Sequence, residues 1–516
     1  MRIPLLALAL LSAAPAPQAK EEVARLLAAK PEDRKSVIDA IVAAKPDPAE
    51  VAAALAAGRA YAADVPRGWL ERTAVATDGK ERPYLLHVPA KYDPAKRYRM
   101  VIDMHGGVSR PQTLTHAELD EMKFFWGKEA EEREWILALP AGDAAATWWN
   151  ATGAGMVLQV LRDVRAVYNV DEDAVFATGF SDGGSGALHL ASARATPFAG
   201  FIPLNGHPGV AGMGGVPVFL RNFLNRPMYA VNTAEDSLYP SATMKPIFDA
   251  MKALGAPLVW RDIPGFRHDP SYLPQERPAI LKWMDGVRRD PAPKVVWWEG
   301  VQGSPGRIDW VTVTAVTGGS GKEPFPDANA EIKEARVRLG VAMDEAFAGP
   351  GARITSVVEN SLAKLMDLRA GDVLLAVDGA DLAGAAALRG ILGKKAYGQD
   401  LVLKVRRGDE VMEKAVKIPE ATPRRAFERD RPWGTLRAEA KGNRIEVACL
   451  GVGSFEVALS PRLVDAGKPV EIVVNGVKAW SGSVVPDLRF MLERGVEDGE
   501  RSVVWWMKVP VMVEGK

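Results

Sequence analysis

The sequence predicts an α/β fold with a doubly wound, mostly parallel sheet, joined to a compact inserted unit and a small C-terminal β domain. Between residues 67 and 291, apolar strand-like runs alternate with amphipathic helical patterns. After the proline-rich joint "RRDPAPK" this alternation ends, and strands of period two follow. A segment with its own strand and helix signals, residues 331–419, interrupts those strands.

Length, charge and cysteine content limit the class of protein. A chain of 516 residues is too long for one ordinary core, so several domains are expected. The 65 basic and 65 acidic residues balance without a long block of one sign, which argues against a nucleic-acid partner. Cys449 is the single cysteine, so neither a disulfide framework nor a cysteine-rich metal site is expected.

The first residues, "MRIPLLALALLSAAPAPQA", are typical of a secretory signal covering residues 1–19. Arg2 precedes an apolar run that ends in small residues, with cleavage expected near Ala14 or Ala19. The run is about ten residues long, against roughly twenty needed to cross a bilayer. We therefore expect an exported protein, periplasmic or extracellular, with no membrane span after signal cleavage.

The predicted domain boundaries follow the changes of pattern along the chain. Residues 20–66 form a helical prefix, in which prolines separate stretches of helical spacing. Residues 67–291 form the α/β domain. Residues 292–330 begin the β domain and include a glycine-rich linker, residues 331–419 are the insert, and residues 420–516 complete the β domain.

A candidate nucleophile lies in the stretch "AVFATGFSDGGSGA". Gly179, Ser181 and Gly183 form G-x-S-x-G between a predicted strand and a predicted helix. The glycines permit a sharp turn that presents the serine hydroxyl at the helix N-terminus, where the helix dipole favours negative charge. The same turn also occurs as plain packing. Ser185 is a rival, but it lacks the second glycine two residues on and lies inside the helix start.

A serine hydroxyl needs a base to remove its proton, and a third group to orient that base. Of the six histidines, His268 alone follows the last predicted parallel strand, "LVWRDI", where the chain order serine, acid, histidine places the base. The loop "TAEDSLYP" offers Glu235 and Asp236, and we predict Asp236 as the acid. Asp262 and Asp269 stay open as alternatives, although they are close to His268 in sequence.

An oxyanion hole is expected beside the predicted nucleophile. The strand "MVIDM" ends in "HGG", and the amide of Gly107 or its neighbour is predicted to be one donor. The amide of Asp182, directly after the nucleophile, is predicted to be the other.

Aromatic residues near the same edge of the sheet suggest a substrate pocket. His105, Trp148 and Trp149 are interpreted as its walls, although tryptophans also pack under long loops. The glycine-rich stretch 209–223 is interpreted as a cap or lid.

The motifs "HGG", "GFSDGG", "AEDSLYP" and "GFRHD" occur in this order, and residues 67–291 resemble α/β hydrolases of the secreted esterase kind. The resemblance is to polyhydroxybutyrate depolymerases, feruloyl esterases and phospholipase/carboxylesterases. It implies hydrolysis of a carboxylic ester substrate through an acyl-enzyme, with Ser181 as nucleophile, His268 as base and Asp236 as its partner. It implies no metal and no organic cofactor. Ala234 and Glu235 depart from the usual glycine or histidine before the aspartate.

The inserted segment contains "VRLGVAMD", "ARITSVVENSLAKLMDLRAGDVLLAVDG" and "LRGILG", and it resembles a bacterial PDZ domain. The resemblance implies that amides around Leu339, Gly340 and Val341 receive a peptide carboxylate while the peptide adds a strand. Asp367 stands where a glycine is common. The partner is then a peptide C-terminus or a protein, unless the unit is only a spacer or docking face.

Three functions are compatible with these features. The first is an exported serine hydrolase that cleaves carboxylic esters. The second is a serine peptidase of the prolyl-oligopeptidase type, since the same triad cleaves amides, but the sequence shows no tandem blade repeats. The third is a non-catalytic binding scaffold that carries a PDZ domain.

Overall fold

The computed structural model of the protein describes residues 17–304, 306–319, 324–326, 328–333, 337–344, 346–421, 423–429 and 431–513. Most of the predicted signal, residues 1–16, therefore lies outside the described residues. The chain forms two compact units, one of residues up to Ala330 together with those from Phe427 onward, and one of residues 331–426. Within the described ranges, no helix is both long enough and apolar enough to cross a membrane.

Three short helices precede the main sheet: α1 (Pro17–Ala28), α2 (Arg34–Ala44) and α3 (Pro48–Ala57). Asp47 caps α3 by accepting a hydrogen bond from the Ala49 amide, and Pro48 occupies a first-turn position where no N–H is needed. The apolar faces of the three helices share a core with the last helix of the chain. The residues of that core include Val23, Leu26, Ile41, Val51, Leu55, Met491 and Leu492.

The centre of the larger unit is an eight-stranded sheet. Its strands are β1 (Gly68–Val75), β2 (Glu81–Val88), β3 (Tyr98–Met104), β4 (Ile136–Pro140), β5 (Val170–Phe180), β6 (Gly200–Leu204), β7 (Met228–Thr233) and β8 (Leu258–Ile263). They occur in the order β1-β2-β4-β3-β5-β6-β7-β8. The strands from β3 to β8 run parallel to one another, whereas β1 and β2 are antiparallel to their neighbours. The predicted α/β class with a mostly parallel sheet is confirmed.

Helices connect the parallel strands and follow the last of them, as their amphipathic patterns predict. They are α4 (His116–Asp120), α5 (Lys123–Glu132), α6 (Ala151–Val167), α7 (Asp182–Ala193), α8 (Pro208–Ala211), α9 (Ser241–Ala253) and α10 (Leu273–Gly286). Asn150 caps α6 by accepting from the Gly153 amide, and Val157, Val160 and Val164 lie on its buried face. The carboxyl ends of the parallel strands meet at one edge of the sheet, and this edge carries the loops that follow β3, β5, β7 and β8.

The strand β9 (Val295–Val301) is bound to the α/β domain by polar contacts. Asn222 lies in a 3₁₀ turn, Leu220–Leu224, and its side chain bonds to both the carbonyl (2.9 Å) and the amide (2.8 Å) of Glu299. Arg221 forms a buried ion pair with the Glu299 carboxylate at 2.6 Å. Since residues 220–224 are fixed in this way, the second half of the predicted cap 209–223 is a buried connection and not a free lid.

Strands β10 (Gly306–Ile308) and β11 (Val311–Val316) follow, and the chain then enters the second unit. The strands of that unit are β12 (Glu331–Ile332), β13 (Val341–Met343), β14 (Ala352–Val357), β15 (Val373–Val377), β16 (Ala380–Asp381), β17 (Asp400–Arg407), β18 (Glu410–Lys417) and β19 (Arg424–Arg425). Its helices are α11 (Leu362–Leu365) and α12 (Ala385–Leu392). The main sheet has the order β13-β14-β15-β17-β18, and the unit has an apolar core of its own.

Two further sheets complete the larger unit, and each combines strands from both sides of the insert. The strands after the insert are β20 (Trp433–Lys441), β21 (Arg444–Leu450), β22 (Val452–Leu459), β23 (Val470–Val474), β24 (Val477–Gly482) and β25 (Met507–Met512), with α13 (Leu488–Asp498) before the last strand. β9 pairs with β20, and β11 pairs with β22, both antiparallel. The segments on either side of the insert therefore build one β region.

Buried ion pairs join the α/β domain to this β region. Arg226 pairs with Asp309, and both side chains are almost fully buried. Glu500, which follows α13, pairs with Arg289 and accepts a longer contact of 3.4 Å from Arg165. Removing one member of such a pair leaves an uncompensated buried charge, at a cost of about 3–5 kcal/mol.

Candidate active site

Ser181 lies at a sharp bend between β5 and α7. Its φ is 59° and its ψ is −117°, a conformation that residues other than glycine rarely adopt. A Cβ at Gly183 would lie 1.8 Å from the carbonyl oxygen of Met104, and one at Gly179 would lie 2.4 Å from the same atom. Both glycines of the G-x-S-x-G motif are therefore needed for the close approach of the bend to the end of β3.

The bend places Ser181 within hydrogen-bonding distance of His268. The Ser181 Oγ lies 2.8 Å from the His268 Nε2, and the His268 Nδ1 lies 2.7 Å from the Asp236 Oδ2. Asp236 follows β7 and His268 follows β8, so adjacent strand ends supply both side chains. When Nδ1–H donates to the carboxylate, Nε2 is the ring atom that can accept a hydrogen bond from the serine hydroxyl.

The competing acids lie elsewhere. Glu235 is exposed, and its backbone amide donates to the carbonyl of Phe266. Asp262 is also exposed. Asp269 caps the 3₁₀ turn Pro270–Tyr272 by accepting from the Ser271 amide at 3.0 Å. Of the four acids that the sequence left open, Asp236 is the one that the structure brings to the His268 ring.

Asp236 is held in its charged form by hydrogen bonds. Burial alone would raise the pKa of this carboxyl, because desolvation penalises the charge. The bonds from His268, the Asn205 side chain and the Tyr239 amide outweigh burial and lower the pKa to about 2. The Leu238 amide also donates to Oδ1, at 2.8 Å. The carboxylate is therefore charged at neutral pH, as a group that orients and stabilises an imidazolium must be.

Similarity to known proteins covers both units. Residues 337–418 match the family model of the PDZ domain. About a quarter of the chain is similar to curated esterases. A probable feruloyl esterase C of Aspergillus terreus is 29% identical over 128 residues, which is 24% of this chain and 46% of that protein. A bifunctional acetylxylan esterase/xylanase of Neocallimastix patriciarum is 28% identical over 133 residues, 25% of this chain and 18% of that protein.

The chain thus spans about half the length of the feruloyl esterases that it matches. Among solved structures, the poly(3-hydroxybutyrate) depolymerase LpqC of Bordetella parapertussis is 18% identical, with a TM-score of 0.35 over 44% of this chain and 93% of that one. A thermostable esterase is 19% identical, with a TM-score of 0.36 over 43% of this chain and 63% of that one.

Three observations decide the fold. They are the strand order of the main sheet, the serine at the β5–α7 bend, and the order serine, acid, histidine along the chain. The larger unit contains an α/β-hydrolase domain. The inserted unit is a PDZ domain. Both resemblances predicted from the sequence are confirmed at this level.

Two residues support the acid of the hydrolase domain, and the sequence did not indicate either. Asn205, which follows β6, donates to the Asp236 Oδ2 at 2.9 Å and to the Thr233 Oγ1 at 2.7 Å. The Tyr239 ring lies edge-on to the His268 ring, with centroids 5.3 Å apart. The only available signal was position, because each residue lies in a loop that follows a parallel strand.

The loop that is predicted to supply an oxyanion donor packs against Ser181. A Cβ at Gly106 would lie 3.2 Å from the Ser181 Cβ, so this loop directly faces the serine. The Val108 amide donates to the Asp182 Oδ2 at 2.8 Å, so of the predicted donors on this loop the amides of Gly107 and its other neighbour, Gly106, remain. Asp182 is the first residue of α7, where backbone N–H groups have no partner within the helix. The Asp182 side chain therefore positions the loop, a role that the sequence analysis missed.

His105 and Trp148 are almost fully buried and bond to this loop, and their predicted place in a substrate pocket stays a prediction. The Gly142 amide donates to the His105 Nε2 at 2.9 Å, and the His105 Nδ1 lies 2.8 Å from the Gly106 carbonyl oxygen. Burial lowers the pKa of His105 to about 4, so its ring is neutral at pH 7. The Trp148 Nε1 donates to the His105 carbonyl at 2.8 Å, and its side chain is fully buried.

Trp149 is also buried, at 6% exposure. A Cβ at Gly214 would lie 1.9 Å from the Trp149 carbonyl oxygen, which shows that the glycine-rich stretch after α8 covers this residue.

The rival serine, Ser185, is fully buried, and its hydroxyl accepts from the His207 amide at 3.0 Å. Its position inside α7 therefore serves packing.

The loop before β13 of the PDZ domain contains the three residues predicted to bind a carboxylate. Gly340 has a φ of +80°, and its carbonyl accepts from the Val358 amide at 2.9 Å. The Leu339 carbonyl accepts from the Ala363 amide at 2.7 Å. Val341 begins β13, the terminal strand of its sheet, so one edge of β13 is unpaired in that sheet.

Replacement of Gly183 tests the contact between α7 and β3. We expect Gly183→Ala to destabilise the hydrolase domain by about 3 kcal/mol or more, because a methyl group would overlap backbone that cannot easily move. Gly155→Ala in α6 is the matched control, since its Cβ would meet only Thr77 at 3.5 Å. Thermal denaturation measures both variants. An unchanged melting temperature for Gly183→Ala would contradict the described packing.

The lowered pKa of Asp236 predicts a specific dependence of stability on pH. The group is charged in the folded protein down to about pH 2, against about 3.8 when unperturbed, so its stabilisation is complete above about pH 5 and is lost as the pH falls through 2. The shift corresponds to about 2 kcal/mol. Urea titrations from pH 5 to pH 2 should show this loss in wild type but not in Asp236→Asn, and the exposed neighbour variant Glu235→Gln should follow wild type.

Proposed function

We propose that the protein is a serine hydrolase that cleaves carboxylic esters through an acyl-enzyme. The observation that carries the proposal is the hydrogen-bonded chain from the Ser181 Oγ through the His268 ring to the Asp236 carboxylate. At the Ser181 end of this series of hydrogen bonds lies a loop whose backbone faces the serine. Nucleophile, base, orienting acid and oxyanion donors are the groups that acyl transfer requires.

In the first half of the reaction, the Ser181 Oγ attacks the ester carbonyl carbon while the His268 Nε2 takes the hydroxyl proton. The carbonyl oxygen becomes an oxyanion, which the amides of Gly107 and Asp182 stabilise. His268 then gives its proton to the leaving alcohol as the ester C–O bond breaks. Asp236 stabilises the transient imidazolium without taking its proton.

In the second half, a water molecule attacks the acyl-enzyme. His268 accepts a proton from the water, a second oxyanion forms at the same site, and the bond to the Ser181 Oγ breaks with return of the proton to serine. The products are a carboxylic acid and the free enzyme. No other reactant is needed, because water supplies both the oxygen and the proton.

The relatives support carboxylic esters as the substrate class. Feruloyl esterase and acetylxylan esterase are the names of curated proteins that share about a quarter of the chain. We accordingly include a feruloyl ester among the substrates to be tested. Export to the periplasm or beyond stays a prediction from residues 1–19.

Ester hydrolysis by purified protein is the direct test. We expect p-nitrophenyl butyrate to be cleaved with a burst, and Ser181→Ala to lower kcat by roughly 10⁴-fold or more. Ser192→Ala, on the same helix and half-exposed, is the matched control and should keep wild-type activity. A fluorophosphonate should label wild type and Ser192→Ala but not Ser181→Ala.

The same assay separates the other functions. Methyl ferulate and a set of peptide amides are compared with the p-nitrophenyl ester at equal enzyme concentration. Faster turnover of the peptides than of any ester would replace the esterase proposal with a peptidase. Absence of both labelling and turnover would support the non-catalytic scaffold and reject catalysis by Ser181.

We also propose that the PDZ domain binds a peptide or protein through a C-terminal carboxylate at residues 339–341. Two observations favour this second function. The carbonyls of Leu339 and Gly340 are bonded inward to Ala363 and Val358, which fixes the loop. The strand β13 that follows has one edge unpaired in its sheet, where an added peptide strand finds hydrogen-bond partners.

Binding of carboxylate peptides by the full chain tests this proposal. We expect a library of peptides with free C-termini to yield binders whose amidated forms bind roughly tenfold to a hundredfold more weakly, because hydrogen bonds to a charged acceptor are lost. Gly340→Ala should abolish binding, since its Cβ would lie 2.3 Å from the Ser361 Cβ. Gly371→Ala has a similar φ and no neighbour within 4 Å, and it should still bind. Equal affinity for both peptide forms would reject the carboxylate site.

A further inference from the structure

A cavity lies in the larger unit, at the opposite end of α7 from Ser181. Its volume is about 540 Å³. Residues of α6, the C-terminal end of α7, β10, β11 and the end of α13 line it. The twelve residues of α7 span about 18 Å, so a small molecule in this cavity does not reach the Ser181 hydroxyl.

One side chain in the cavity wall is buried with polar atoms that have no partner. Arg165 is 8% exposed. Its Nη1 makes two long contacts, at 3.3 Å to the Asp498 carbonyl and at 3.4 Å to the Glu500 carboxylate. For its Nε and Nη2, the described part of the chain offers no acceptor within hydrogen-bonding distance. Buried guanidinium donors without acceptors are costly, and an anion in the cavity would satisfy them.

Two of the three carboxylates of the wall are shared with arginines outside the cavity, and the third, Glu497, lies 3.7 Å from Arg307 of the wall. Glu500 pairs with Arg289, and Asp498 pairs with Arg494 at 2.7 Å as well as with Arg307 at 2.6 Å. Neither Arg289 nor Arg494 lines the cavity. The acids of the wall therefore do not fully neutralise the arginines that face the space.

Two further arginines at the rim add positive charge. Arg162 bonds to the neutral amide oxygen of Gln159 at 2.6 Å, and Arg194 bonds to the carbonyl of Ala193 at 2.8 Å. Both side chains are exposed at the protein surface. A negatively charged group that enters the cavity thus passes two guanidinium groups before it reaches Arg165.

Apolar side chains form one part of the wall, beside threonines at positions 196, 312 and 314. Leu161 and Val313 are buried, and Leu158 is half-buried. A cavity that combines a small number of convergent cations with an apolar part of its wall suits a ligand with one charged end and an apolar body. An inorganic anion would leave the apolar surface in contact with water.

We propose that this cavity binds a small organic carboxylate, with the carboxylate on Arg165 and the rim arginines and the apolar body against Leu158, Leu161 and Val313. The site is separate from the triad and does not depend on ester hydrolysis by Ser181. The guanidinium of Arg165 supplies two N–H donors in one plane, the geometry that a carboxylate accepts in bidentate form.

Isothermal titration of the full chain tests the proposal, with 3-phenylpropionate as the probe. Ser181→Ala is used throughout, so that hydrolysis and failure of the esterase proposal do not affect the result. We expect Arg165→Met and the rim variant Arg194→Glu each to weaken binding roughly tenfold to a hundredfold, as expected for loss of charged hydrogen bonds. Arg25→Gln replaces an exposed arginine of α1 outside the cavity and should bind like the parent.

Two ligand controls and one protein control define the outcomes. The neutral 3-phenylpropionamide and inorganic phosphate should each bind at least tenfold more weakly than the carboxylate. If the amide binds as tightly as the carboxylate, the cavity is not an anion site. If phosphate binds as tightly as the carboxylate, the apolar body of the ligand does not contribute to binding. Arg194→Glu keeps the test valid where Arg165→Met fails to fold. Binding that Arg194→Glu leaves unchanged overturns the location.

Discussion

The first turn of α7 lies directly on the end of β3, with no side chain between the two backbones, and the presentation of Ser181 depends on this contact. Gly183 meets the Met104 carbonyl, and Gly184 meets the Leu204 carbonyl at the end of β6. Further along the helix, Gly186 packs against the Trp148 side chain. The strained backbone of Ser181 persists because strand, helix and loop leave it no other position.

The same contact links α7 to the loop that follows β3. Trp148 is wedged between the helix and the loop, where it bonds to the His105 carbonyl, and Asp182 at the start of the helix bonds to the Val108 amide. The loop that faces the nucleophile is therefore fixed at both ends by groups that belong to the helix or pack on it. Preorganised backbone donors of this kind stabilise charge without rearrangement during the reaction.

The sequence predicted the fold class and the three residues that meet at the edge of the sheet, because chemistry-bearing side chains followed strands whose carboxyl ends must lie together. Ser181, Asp236 and His268 each occupy such a position. It did not predict Asn205 or the carboxylate contact of Asp182, since their partners lie 31 and 74 residues away and no local pattern records such pairs. For Trp148 the sequence left a pocket wall and packing under a loop both open, because composition does not reveal which way an aromatic ring faces.

The PDZ domain enters and leaves the rest of the chain through neighbouring strands. Glu331 and Ile332 of β12 pair with Arg425 and Arg424 of β19, so the two chain ends of the module lie about 5 Å apart. Excision at this point leaves a gap that a tight turn can close, while β9 and β20 retain their pairing. A single recombination event can thus add or delete the whole module, and evolution can exchange it for another domain without redesign of the enzyme-like core.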